Sequence, residues 1–143
     1  MPRSSTVCVD ASCVVRLLAD PDDQKIQRRW TEWQSDRRSL VAPRLLRYEV
    51  ANALYRYQRA GQRSEMTVRS ALRTAMDLPI TLYDDVDLHH QALVWADRLS
   101  LLAAYDAHYL ALADQLGAEF WTADRRLVDA ARHEATWVYL IEP

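Results

Sequence analysis

Hydrophobic and polar positions along the chain alternate between two kinds of pattern. Short apolar runs read as buried strands, and longer stretches with apolar residues three or four apart read as amphipathic helices. Val7, Cys8 and Val9 form a brief strand, and Val14, Leu17 and Leu18 follow at helical spacing. In "DPDDQKIQRRWTEWQSDRR", Asp22 and Asp23 open a helix whose inner stripe is Ile26, Trp30 and Trp33, with Arg37 and Arg38 at its end. "SLVAP" is a minimal strand, after which Pro43 is expected to open a long helix running to about Ala60 and closed by Gly61. Ser64 starts "SEMTVRSALRTAM", which ends before Pro79. "ITLY" is a strand, and a helix runs from about Val86 to Leu99. "AAYDAHYLALADQLG" is helical and closed by Gly117, "AEFWTAD" is a strand, "RRLVDAARH" a short helix and "WVYLI" a last strand.

Strands this short and apolar, alternating with helices, indicate a parallel sheet covered on both faces. The expected class is α/β with helices outweighing strands, without repeats or linkers. A length of 143 residues, half of them hydrophobic, suits one domain over 1–143. Cys8 and Cys13 match no disulfide or C-x-x-C spacing and read as small core residues in a reducing, cytoplasmic setting. "MPRSSTV" is followed by no long apolar segment, and no run reaches membrane-spanning length. The net charge of -2 argues against coating nucleic acid by bulk charge, yet all basic residues except Lys25 are arginine, a side chain suited to phosphate.

Four acids stand in unusual places. Asp10 and Asp124 each follow a strand and precede a helix, and each would serve as a helix cap as readily as a functional group. Glu49 falls inside the apolar arc of Leu45, Leu46, Val50, Ala53, Leu54 and Tyr57, with Asn52 one turn later on the arc's edge. Asp106 is the one acid in "AAYDAHYLALA", where a helix start would again make it a cap. Thr122 is polar where the strand pattern expects an apolar residue. In a parallel sheet the carboxyl ends of the strands share one edge, where ligands bind. Asp10 and Asp124 belong to that edge, and Glu49 and Asp106 lie on helices able to reach it. Clustered carboxylates repel, which a divalent cation relieves. With no Cys or His at ligand spacing, the oxygen set favours Mg²⁺ or Mn²⁺ over Zn²⁺.

"VDAS", "YEVANAL", "YDAHYLALA" and "TAD", in that order, make the chain similar to the PIN-domain ribonucleases, and among them to the VapC-type toxins of toxin-antitoxin pairs. The resemblance implies a three-layer α/β/α sandwich and an acidic metal-binding quartet of Asp10, Glu49, Asp106 and Asp124. Ser12 and Thr122 would be supporting hydroxyls, and Asn52 a supporting amide. The expected activity is Mg²⁺- or Mn²⁺-dependent cleavage of single-stranded or looped RNA, with Asp10 and Asp106 as the nearest ligands and Glu49 and Asp124 completing the site or orienting water. Arg16, Arg44, Arg47, Arg125 and Arg126 flank the acids in sequence and are the candidate RNA contacts. Asp129, five residues after Asp124, either reaches the pocket or faces water, with water the favoured placement. A homodimer and a small VapB-type antitoxin are the implied partners, the antitoxin docking on aromatic surface from Ile26, Trp30, Trp33, Leu54 and Tyr57.

Phe120 and Trp121 are bulkier than the aliphatics usual there, and the tail lacks the common glycine before its final strand; both bear on packing. An aspartyl phosphatase would need an acid at position 12 and an active-site lysine, and a dinucleotide fold would need a Gly-rich loop that two glycines cannot make. The remaining alternatives are a silent PIN-like interaction module and a housekeeping PIN nuclease without an antitoxin.

Overall fold

The computed structural model describes residues 5–142. Residues 1–4, on which the expectation of no leader segment partly rests, lie outside that span. The elements are β1 (Thr6–Val9), α1 (Ala11–Ala19), α2 (Gln24–Ser35), β2 (Ser39–Pro43), α3 (Leu45–Arg59), α4 (Glu65–Met76), β3 (Ile80–Tyr83), α5 (Val86–Arg98), α6 (Tyr105–Leu116), β4 (Glu119–Thr122), α7 (Arg125–Ala131) and β5 (Val138–Leu140). The five strands pair in the order β3-β2-β1-β4-β5, every pair parallel. All their carboxyl ends therefore lie along one edge.

Strand alternation assigns each residue to a layer. Cys8 and its register partner Phe120 face α6: Tyr109 stacks on Phe120, and its carbonyl accepts from the Cys8 thiol. Trp121 faces the opposite layer, where Trp33 of α2 packs edge-on against it. On that same side α1, α3 and α4 pack on one another, while α5 covers α6. This is the expected three-layer sandwich.

The element pattern is as read from the sequence, with one local difference. Pro43 ends β2 instead of opening α3: it stays in register with Tyr83 of β3, and Arg44 takes the turn with its N–H bonded to Tyr83 O. Gly117 closes α6 in the left-handed region at φ 63°. Cys8 and Cys13 are buried and unlinked, and burial pushes both thiols up in pKa.

The expected aromatic docking face does not exist in this fold. Ile26, Trp30, Trp33 and Leu54 are all buried, since α2 lays its stripe on Trp121 and Leu54 packs inward from α3. Tyr57 is half-buried beneath the Arg63 guanidinium. Among the described residues no helix is long and apolar enough to cross a membrane.

Candidate functional site

At the carboxyl end of β1 the chain must leave the sheet and enter α1, and Asp10 serves that turn. Its Oδ1 accepts from the Cys13 N–H at 3.3 Å as the α1 N-cap. Ser12 donates to the same oxygen and Thr122 donates to Oδ2. The Ser12 hydroxyl also accepts from Ala123 N–H at 2.9 Å, and Thr122 Oγ1 from Asp124 N–H at 3.0 Å. The capping reading of Asp10 is therefore correct, and two further side chains hold the same carboxylate. The acid is 6% exposed, and burial, opposed by these three hydrogen bonds and reinforced by the Asp106 charge, raises its pKa from 3.8 to about 6.

Glu49 extends from α3 to accept a 2.6 Å hydrogen bond from Tyr109 of α6, so one contact joins opposite layers of the sandwich. Burial raises Glu49, the Tyr109 bond opposes the rise, and the Asp106 and Asp10 charges add to it. Asp106 is not a cap: α6 begins at Tyr105, its N-cap position is Ala104, and no side chain caps it. Burial and the Asp124 charge raise Asp106, while Arg126 pulls it down. Asp124 caps α7 through Arg126 N–H at 3.0 Å. Each of the four acids thus lies within the electrostatic field of another, Asp106 being coupled to all three others.

They share a field without forming a cage. Among the described residues, no three His, Cys, Asp or Glu side chains converge closely enough to enclose an ion. The donor chemistry nevertheless fits a small hard cation, because carboxylates that raise one another's pKa gain from a positive charge. Such an ion keeps several waters and needs only one or two protein oxygens.

Beside the acids, α1 and α3 border a groove of about 690 Å³ lined by Ser12, Glu49, Asn52, Arg56, Tyr57 and Gln62, among others. Asn52 is exposed along it and does not point to the core. The RNA-contact candidates divide. Arg16 is committed to the fold, pairing with Asp23 at 2.5 Å and donating to the carbonyls of Ile141 and Glu142. Arg125 lies near Glu142 and Arg44 near Asp84, both exposed. Arg126 stands 3.8 Å from Asp124 and is almost wholly exposed. Arg47 lies on the flank of α3 away from Glu49, by the cleft of Val14, Ala75 and Leu82. Asp129 is exposed and paired with Arg132, as expected. Tyr109 escaped the sequence reading, because it sits in a helix that is apolar on most sides and has no polar stripe to set it apart.

The model of the PIN domain matches residues 7–133. A VapC ribonuclease of Mycobacterium bovis and ribonuclease VapC9 of Mycobacterium tuberculosis are each 34% identical over 126 residues, covering 88% of this chain and 91% of the relative. The chain belongs to the PIN-domain family, within its VapC group. The crystal structure of PAE2754 from Pyrobaculum aerophilum shares the PIN fold at a TM-score of 0.66 and 27% identity, covering 87% of this chain and 84% of that one. Asp10, Glu49, Asp106, Thr122 and Asp124 all fall inside the span matched to the PIN model.

Proposed function

We propose that this PIN domain, residues 1–143 acting as one unit, is a divalent-metal-dependent endoribonuclease and the toxin of a VapBC-type pair. The observation that carries the reading is the electrostatic coupling of Asp10, Glu49, Asp106 and Asp124 at the carboxyl edge of a parallel sheet. Asp10 and Asp106 would hold the ion, Mg²⁺ or Mn²⁺, with Glu49 and Asp124 completing the set. The chemistry that a bound divalent cation supplies is neutralisation of charge on the scissile phosphate and a lower pKa for the attacking water.

The chain's own residues supply orientation. Ser12, Thr122 and the Cys13 N–H hold the Asp10 carboxylate from both sides, so it meets the ion in one rotamer. Tyr109 does the same for Glu49, and its hydrogen bond favours the ionised carboxylate. Arg126 offers an exposed positive charge beside Asp124, where an incoming phosphate would be received.

The restraining partner is an antitoxin, and we assign its inhibitory segment to the groove between α1 and α3, which replaces the buried tryptophan face as the landing place. A basic side chain on that segment would reach Glu49 and compete with the ion. A homodimer would cover the apolar side chains Leu93 and Val94, which α5 leaves exposed. The test is cleavage of single-stranded RNA by the purified chain with Mg²⁺ or Mn²⁺. Activity that is lost with chelator and in Asp10→Asn supports the proposal. Absence of cleavage under all conditions by a folded chain would assign it to a silent PIN module.

A further inference from the structure

An acidic centre repels a polyanion, so a ribonuclease of this kind needs a positively charged or stacking surface that leads the strand to it. On α3, positions advance by about 100° per residue. Tyr48, Asn52, Tyr55 and Arg59 therefore fall on one stripe, and Arg56 stands between that stripe and Glu49. The core residues Leu46, Val50 and Leu54 occupy the opposite side.

Tyr48 is 72% exposed and Tyr55 54%. Tyr105 at the start of α6 is also strongly exposed, at 65%, but it stands alone, whereas Tyr48 and Tyr55 share one face of one helix. Neither ring touches another aromatic ring among the described residues, whereas Trp30, Trp33, Tyr109, Trp121 and Tyr139 all do. The two tyrosines are seven residues apart, two turns or about 10 Å along the helix. Arg56 and Arg59 make no ion pair among the described residues, in contrast with Arg16, Arg29, Arg69 and Arg132. The stripe thus combines stacking faces with uncompensated positive charge. It adjoins the carboxylates through Asn52 and Arg56, both of which line the groove shared with Glu49.

We infer that the outer face of α3 is a single-stranded RNA track, in which Tyr48 and Tyr55 stack bases and Arg56 and Arg59 hold phosphates. The inference rests on the ribonuclease reading. Charge complementarity favours RNA over a second copy of this chain, whose own α3 would bring the same arginines against these. Stacking on tyrosine requires unpaired bases, so the track selects single strands over duplex.

The experiment measures binding of a labelled single-stranded oligoribonucleotide of about a dozen nucleotides, with chelator present so that nothing is cut. Ala at Tyr48 or Tyr55 is expected to weaken binding about tenfold each, and Phe at either position to restore it. Gln at both Arg56 and Arg59 is expected to flatten the dependence of log affinity on log salt by roughly 1.4, about 0.7 for each single-strand phosphate no longer neutralised. A duplex of the same sequence should bind weakly and be indifferent to the tyrosines. All four side chains are exposed, so unchanged thermal melting verifies the variants' folding. RNA that is bound and cleaved without sensitivity to these positions overturns the track while leaving the nuclease intact. RNA that is neither bound nor cleaved overturns both readings. A change in molecular mass on substituting the tyrosines, with RNA affinity unaltered, overturns the track in favour of a second copy.

Discussion

The hydroxyl of Tyr109, buried on α6, donates to Glu49 Oε1 of α3 at 2.6 Å, so an acid of the proposed site is held by a residue from the opposite layer of the sandwich. Replacing Tyr109 by Phe keeps the ring on Phe120 and removes only this donor. We expect stability to fall by about 1 kcal/mol and cleavage by about tenfold, the usual loss when a partner that orients a metal-binding carboxylate is removed. The bond favours the ionised carboxylate, so its loss raises Glu49 further, and the acid limb of the pH-rate profile should move to higher pH. A tenfold loss with no movement of that limb would mean that the hydroxyl positions Glu49 without setting its ionisation.

Asp10 links folding to pH. Its carboxyl is raised from 3.8 to about 6 by burial, against three hydrogen bonds, and by Asp106. A group raised on folding stabilises the native state fully below its unfolded value, and that contribution is lost as pH rises through the folded value. In chelator, stability should therefore decline between about pH 4 and pH 7 by on the order of 3 kcal/mol from this group. Urea denaturation across that range should show the decline in the wild type and a flatter profile in Asp10→Asn. Parallel profiles would remove Asp10 as the source.

Divalent ions should reverse that cost. An ion that binds only the native state stabilises it by about 2.7 kcal/mol at a hundredfold excess over its dissociation constant, visible as a rise in melting temperature. Asp10→Asn and Asp106→Asn should lose both the rise and RNA cleavage while remaining folded. An equal rise in the wild type and in either variant would locate the ion elsewhere.

Trp33 and Arg16 should behave as structural residues. Trp33→Ala empties a site between Trp30 and Trp121 and should cost about 3 to 5 kcal/mol. Arg16→Met removes three anchored hydrogen bonds and should lower stability by about 1 to 3 kcal/mol while leaving RNA affinity unchanged. Affinity that falls with Arg16 in a chain of unaltered stability would return this arginine to the substrate path.

The alternation of short apolar runs with amphipathic stretches was enough to read the layers of this fold, because burial on both sides of a parallel sheet leaves a continuous apolar signature in each strand. The strand order was not legible, since register between β1 and β4 is decided by residues more than a hundred positions apart. The four acids stood out because each interrupts an apolar pattern. The partners of Arg16 and the burial of Trp33 were hidden for one shared reason: a local pattern shows which face a side chain takes but not what lies opposite. Arg16 faces the carbonyls of residues 141 and 142, and Trp33 faces Trp121. Tyr109 was hidden because α6 is covered all round, leaving no polar side against which an inward hydroxyl would register.

β4 is paired between β1 and β5, and Thr122 reaches Asp10 across 112 positions of sequence. During synthesis, a nascent chain that has emerged as far as Leu116 already carries Asp10, Glu49 and Asp106. It lacks Asp124 and the hydroxyl that orients Asp10, and its first strand has no neighbour on the β4 side. The proposed centre would therefore be complete only once β4 and Asp124 have been made and β4 has paired with β1, so a chain that stops at Leu116 would carry three of its acids without the contact that orients the first.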